Sequence, residues 1–159
     1  MTSLLAVIRH GPTEWNELGK IQGRTDIPLS ERGKSLIQQL QLPDFFSEMD
    51  WITSPLSRAI ETGKLLGITE MLIDDRLIET NWGDWEGQVL QDLRVKYGKE
   101  MLENEKRGLD LTPPGGESPR QVCQRLQPLL SDIAASGEQK LIGAITHKGV
   151  IRSLLSLAT

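Results

Sequence analysis

Leu4-Leu5-Ala6-Val7-Ile8 is an unbroken apolar run that ends on Arg9-His10. A strand with one wet face alternates apolar and polar residues, so a run without alternation is the pattern of a strand buried on both faces. Leu141 to Thr146 is a second strand of this kind, and His147 stands at its end. Met49 to Thr53, followed by Ser54-Pro55, reads as a short strand, and Met71 to Ile73 as another. Helical stripes fall between these strands. Ser30 is placed to cap a helix carrying Leu36, Ile37 and Leu40, and Ala59, Ile60, Gly63 and Leu66 share a face of the next. Ser118-Pro119 opens a third, with its cap and first-turn proline in favoured places. Val122, Leu126, Leu129, Leu130 and Ile133 face the core from it, and Pro128 is expected to kink it. Val150, Ile151, Leu154 and Leu155 mark a final helix. Strands alternating with helices predict an α/β sandwich around a largely parallel sheet.

Two stretches resist this pattern. Arg9 to Pro28 is polar and punctuated by glycine, with no helical period, and reads as a long loop of the kind that carries function in compact domains. Asp75 to Gln88 is rich in charge and glycine and reads as a second loop. Val89 to Tyr97 is expected to be helical, with a surface helix or loop onward to Gly108. Pro113-Pro114-Gly115-Gly116 is a firm break.

The chain has 159 residues, 38% hydrophobic and 25% charged, as expected of one ordinary folded domain spanning 1–159. There is no internal repeat or interdomain linker. A net charge of −4 argues against nucleic acid as a partner. A single cysteine, Cys123, cannot form an intramolecular disulfide, so a cytoplasmic location is expected. No stretch approaches the length of a membrane span, and Leu4 to Ile8 is too short for a secretion signal. No membrane partner is therefore expected. Oligomeric state is not legible.

Both histidines of the chain follow a buried strand, and ligands in open α/β sheets bind beyond the carboxyl ends of the strands. If the two strands are neighbours, both imidazoles reach one crevice, with Arg9 beside His10 and Arg58 opening a helix after another strand end. Each residue also has a plain structural reading. A histidine after a strand is commonly a hydrogen-bonded structural residue, Arg9 can cap carbonyls, and Arg58 can be a solvated helix charge. Spacing alone leaves both readings open. Brought together, two arginines match phosphoryl oxygens, and a histidine can act as covalent nucleophile. Fixed guanidinium groups would then do work that other phosphatases give to magnesium.

Other phosphoryl chemistries fit poorly. A cysteine phosphatase needs an arginine where Leu129 follows Cys123, and an Asp-x-Asp pair is lacking. Gly63-Lys64 resembles the end of a P-loop, but Arg58 occupies the place of the first glycine. Neither a metal site nor a cofactor is expected, since a zinc site needs more than two histidines and one distant cysteine unless carboxylates complete it.

Arg9-His10-Gly11-Pro12-Thr13-Glu14-Trp15-Asn16, with Gln22-Gly23-Arg24-Thr25-Asp26-Ile27-Pro28-Leu29-Ser30-Glu31-Arg32-Gly33, resembles the opening blocks of the histidine phosphatase superfamily, also called phosphoglycerate mutase-like. Thr53 to Thr62 is similar to its second arginine motif, and Leu77-Ile78-Glu79 with Trp82-Gly83-Asp84-Trp85-Glu86-Gly87 to its acid loop. Pro114-Gly115-Gly116-Glu117-Ser118 and Thr146 to Arg152 complete the set. The resemblance implies a three-layer α/β/α sandwich and a small phosphorylated substrate. It implies that His10 attacks phosphorus, that Arg9, Arg58 and His147 form the phosphate pocket, and that Asn16, Gln22 and Gly23 line it. It makes Glu79 the proton donor, with Glu86 the rival. Trp82 and Trp85 are read as packing or pocket wall, Trp15 as a pin for the first loop, and Cys123 as a small core residue.

The chain departs from the family pattern at Pro12 and at Lys148, which is expected to face solvent. It also stops at Thr159, where relatives usually continue through a segment that adds sheet edge and pocket rim. That leaves either a shortened form or a missing tail. The resemblance favours a phosphomonoester hydrolase without metal, with alpha-ribazole, sugar or broad-specificity phosphatase activity open. The alternatives are a cofactor-dependent phosphoglycerate mutase and a non-catalytic phospho-ligand-binding module.

Overall fold

The computed structural model describes residues 2–135 and 138–159. In chain order the strands are β1 (Leu4–Arg9), β2 (Asp50–Thr53), β3 (Leu72–Ile73) and β4 (Leu141–Thr146). The helices are α1 (Glu14–Glu17), α2 (Glu31–Gln38), α3 (Ser57–Leu65), α4 (Leu90–Glu105), α5 (Pro119–Ala134) and α6 (Lys148–Ala158). The strands form one sheet in the order β1-β4-β2-β3, and every pairing is parallel.

The period of two along each strand divides the core into two layers. Leu5 and Val7 of β1, Ile52 of β2 and Ala144 of β4 pack with Val122, Leu126 and Leu129 of α5 and Val150 and Leu154 of α6. Ala6 and Ile8 of β1, Trp51 of β2 and Ile145 of β4 pack on the opposite face with Ala59 of α3. Helices on both faces make the expected three-layer α/β/α sandwich. Trp51 and Gly143 are register partners. A Cβ on Gly143 would lie 2.5 Å from the indole, so the ring packs directly against this glycine and would have to shift for any side chain there. A third cluster, of Trp85, Leu93 and Met101 with Trp82 and Ile21, fills the space beside α4.

Several local expectations change. The loop from Arg9 to Pro28 contains α1, because Thr13 and Asn16 form a reciprocal capping box that closes one turn without an apolar stripe. α2 ends at Gln38, which leaves Leu40 beyond the helix and 59% exposed, and Leu36 is 42% exposed within it, so only Ile37 of that stripe is buried. The stretch from Asp75 to Gln88 contains two short 3-10 turns, Asp75–Leu77 and Gly83–Trp85. Cys123 is half-buried rather than a core residue. No helix among the described residues is long and apolar enough to cross a membrane.

Candidate active site

Three adjacent strands end on the same side of the sheet, and each hands over a polar residue. His10 follows β1 and donates its backbone N–H to Thr146 O at 3.0 Å, which extends the β1–β4 ladder by one residue. His147 follows β4. Ser54 follows β2, and its N–H donates to Ile145 O at 2.9 Å. The two imidazoles therefore meet, with ring centroids 5.1 Å apart and planes at 56°.

The protonation of His10 follows from its partner. Nδ1 lies 2.7 Å from Gly11 O, and a carbonyl only accepts, so Nδ1 carries the proton and Nε2 holds the lone pair. Burial holds the imidazole pKa down at about 4, with Arg58 and Arg9 pushing the same way and the bond to Gly11 opposing them. His147 is fully buried, and burial, then Arg58 and His10, push its pKa lower still. Its Nε2 shares a 2.7 Å hydrogen bond with Ser54 Oγ, while Nδ1 is buried without a protein partner. Both rings are thus neutral at pH 7.

Arg58 lies on the first turn of α3 and is 1% exposed. Its Nη1 donates to Thr25 O at 2.8 Å and its Nη2 to Gly23 O at 2.6 Å, whereas its Nε–H is buried without a partner. A buried guanidinium with an unspent donor next to two imidazoles has the chemistry to hold an anion. Burial lowers its pKa, and the nearest acids, Glu79, Asp26 and Glu86, pull it back. Arg9 ends β1, is exposed, and lies close enough to act electrostatically on both histidines.

Glu79 is 9% exposed. Oε1 accepts from Thr80 N–H at 2.8 Å and Oε2 from Gly149 N–H at 3.3 Å, beside the N-terminus of α6. A Cβ on Gly149 would lie 2.6 Å from Thr80 Oγ1 and closer still to Glu79 Oε1, so glycine is what admits the carboxyl. Burial raises its pKa, against those two N–H donors and the charge of Arg58. Glu86 is engaged elsewhere. Its Oε1 accepts from Thr25 N–H and from Thr25 Oγ1–H, each at 2.7 Å, and it buttresses the loop beneath Gly23.

The long loop is tied to itself and to α3. Asn16 Oδ1 accepts from Thr13 N–H at 3.0 Å, and Thr13 Oγ1 donates to Gln22 Oε1 at 2.6 Å, so both amide oxygens are used inside the loop. Gly23 takes φ +56°, which turns its carbonyl to Arg58. Residues given no role from sequence complete the frame. Thr62, one helical turn after Arg58, donates to Arg58 O and accepts from Gly11 N–H. Asp26 accepts from Ser57 N–H and Oγ–H at the start of α3. Ser54 was findable, because it too follows a strand at its carboxyl end. Lys148 is exposed, as expected. Trp82 stacks on Trp85 at 6.1 Å within the third cluster, which is the packing reading of that pair. Trp15 lies 3.1 Å from where a Cβ on Gly87 would stand, so it bridges the first loop to the segment after Trp85.

Comparison with known proteins agrees with this arrangement. Residues 5–159 match the histidine phosphatase superfamily (branch 1). A 2,3-bisphosphoglycerate-dependent phosphoglycerate mutase of Parvibaculum lavamentivorans is 32% identical, over 98% of this chain and 79% of its own length. Phosphoserine phosphatase 1 of Hydrogenobacter thermophilus is 28% identical, over 94% of this chain and 73% of its own. Among solved structures, a mycobacterial glucosyl-3-phosphoglycerate phosphatase in complex with VO3 superimposes with a TM-score of 0.80 at 27% identity, covering 96% of this chain and 80% of that one. With the paired histidines, the buried arginine and the matched span all in agreement, the chain belongs to branch 1 of the histidine phosphatase superfamily.

Proposed function

We propose that the protein is a phosphomonoester hydrolase that works through a phosphohistidine on His10, without a metal ion. The observation that carries this reading is the 2.7 Å contact between His10 Nδ1 and Gly11 O, which assigns the proton to Nδ1 and leaves a neutral Nε2 beside Arg58 and His147. In the first step Nε2 attacks phosphorus and the bond from phosphorus to the ester oxygen breaks. Glu79, its pKa raised by burial, gives its proton to that departing oxygen. In the second step the Glu79 carboxylate takes a proton from water as the water oxygen attacks phosphohistidine, which frees orthophosphate and restores His10.

The unspent Nε–H of Arg58 is suited to an equatorial phosphoryl oxygen. If Ser54 donates to Nε2 of His147, the remaining proton sits on Nδ1 and serves a second such oxygen. Arg9 supplies further positive charge at the mouth. Asn16 and Gln22, whose oxygens are occupied, keep amide N–H groups for the ligand, and Gly23 acts through Arg58. The substrate is a small phosphorylated metabolite rather than a nucleic acid or a membrane. The VO3 held by the mycobacterial relative is a phosphate-like oxyanion, and two relatives named above are phosphatases.

The mutase names among the relatives favour a second reading, in which phosphohistidine returns its group to another hydroxyl. The two readings share the first step and differ in the acceptor. The test is turnover of an aromatic phosphate ester with a chelator present, for the wild type and for His10→Ala. Turnover in the first and none in the second is expected. Equal rates would remove the nucleophile. Release of free orthophosphate, against transfer to a phosphoglycerate primed with a bisphosphate, separates hydrolase from mutase.

A further inference from the structure

Glu79 sits on a segment that has no β ladder to hold it. From Arg76 to Asn81 the backbone runs outside the sheet, and side chains take up much of its hydrogen bonding. Arg125, on α5, donates from Nη1 to Arg76 O and from Nη2 to Ile78 O, the latter at 2.6 Å. Arg24, on the long loop, donates from Nε to Glu79 O at 3.4 Å. Glu117 joins the two arginines. Its Oε1 accepts from Arg24 Nη2 at 3.3 Å and from Arg125 Nη2 at 3.0 Å. The same oxygen accepts from Asn81 N–H at 2.9 Å, and the backbone N–H of Glu117 donates to Asn81 O at 2.8 Å. One carboxylate thus pins the chain two residues after Glu79, orients the guanidinium that pins the residue before it, and orients the one that reaches Glu79 itself. The side chains of Glu117 and Arg125 are 14% and 19% exposed, dry enough for these bonds to hold a geometry.

We infer that Glu117, acting through Arg24 and Arg125, is the positioning residue for the proton donor Glu79. The inference rests on the reading of Glu79 as that donor. The Glu79 carboxyl is held by the backbone N–H groups of Thr80 and Gly149 and by the Thr80 side chain, all local contacts, so its reach follows where the clamp puts its backbone. A proton donor is effective only within hydrogen-bond reach of the leaving oxygen, and a misplacement of about 1 Å can cost on the order of 100-fold. Glu117 touches neither substrate nor a reacting atom in this arrangement. Its effect should therefore appear only where a proton must be delivered.

The leaving group supplies the test. A nitrophenolate departs without a proton, whereas a primary alkoxide does not. kcat/KM for p-nitrophenyl phosphate and for a primary alkyl phosphate is measured in the wild type, Glu79→Gln, Glu117→Gln, Arg24→Gln and Arg125→Lys, with urea unfolding of each. This parameter reports the first phosphoryl transfer and not the later hydrolysis. Glu117→Gln is expected to lose roughly 10- to 100-fold on the alkyl ester and less than about 3-fold on the nitrophenyl ester. Arg24→Gln, at the wet end of the clamp, should move the same way by less, and Arg125→Lys should show the same selective loss because a compact ammonium lacks the planar fork that spans two carbonyls and a carboxylate. Equal losses on both esters in Glu117→Gln, or no loss on either, would overturn the positioning role. If Glu117→Gln does not fold, Arg24→Gln decides in the same terms. Equal losses in Glu79→Gln itself would remove the proton donor, and the inference with it. A selective loss in Glu79→Gln alone would remove only the inference.

Discussion

Mild acid should destabilise this protein in proportion to its two buried imidazoles. An unfolded histidine titrates near 6.5, while His10 in the fold titrates at about 4 and His147 at about 2. Between those values the unfolded chain takes up a proton that the folded chain refuses, so stability is complete above pH 6.5 and falls as the pH drops toward 4. Each histidine contributes about 1.4 kcal/mol per pH unit inside that window. From pH 7 to pH 5 the pair removes about 4 kcal/mol, a large part of the roughly 5–15 kcal/mol that holds a domain folded. Glu79 works in the opposite sense. Its folded pKa is raised above 4.5, so the folded state gains a proton first and recovers some stability as the pH falls. Asp74, held low chiefly by its hydrogen bonds from Arg76, loses its contribution only below the window. A difference between proteins isolates the histidine share. Urea unfolding at pH 7, 6 and 5 in phosphate-free buffer is compared for the wild type and His147→Gln, whose amide keeps a partner for Ser54 but does not titrate. The wild type should lose about 2 kcal/mol more than the variant over that range. Parallel losses would show that His147 is not held neutral by burial, and the account of the site electrostatics would fail.

Three further substitutions probe the frame. Ser54→Ala leaves Nε2 of fully buried His147 unpaired, and should cost about 1–3 kcal/mol in urea unfolding at pH 7. Thr62→Val removes the acceptor of Gly11 N–H at nearly constant volume; a loss of about 1–3 kcal/mol is expected, with kcat falling more than KM rises because the His10–Gly11 turn loosens. Gly143→Ala puts a methyl 2.5 Å from Trp51 and should destabilise by about 1–3 kcal/mol, with a shift in tryptophan fluorescence as the indole is displaced. An unchanged spectrum would show that the ring does not lie over that glycine.

What could be read in advance divides along physical lines. β1 and β4 were legible because strands buried on both faces show as solid apolar runs, and α5 and α6 because their stripes repeat at helical period. α1 was not, since a single turn closed by Thr13 and Asn16 has no stripe to show. Leu40 misled because periodicity does not say where a helix stops. In the site, His10, Arg58 and His147 were prompted by their places after strands. Glu79 and Glu86 lie on the same loop with the same chemistry, and along the chain only the resemblance prefers Glu79 as the acid; the fold adds that Glu86 is spent on Thr25. The bonds of Glu117 and Arg125 to the segment that carries Glu79 were invisible, because nothing along the chain says which carbonyls a guanidinium will find after folding.

The meeting of the histidines depends on strand direction more than on the histidines themselves. β1 and β4 pair in parallel, with Leu4 opposite Leu141 and Arg9 opposite Thr146. The residues that follow both strands are therefore delivered to the same end. An antiparallel pairing of the same segments would send His10 and His147 to opposite ends, about 20 Å apart for strands of this length. Register matters as sharply. A slip by one residue would turn Ala6 and Ile8 of β1 from the α3 layer to the α5 layer, so the two-sided core that makes the strands apolar also locks the alignment. β2 adds Ser54 by the same logic, since it pairs in parallel with β4 on the side away from β1 and ends one residue short of it. His147, just beyond β4, thus has His10 on one flank and its own hydrogen-bond partner, Ser54, on the other, an arrangement available only where β4 lies between β1 and β2.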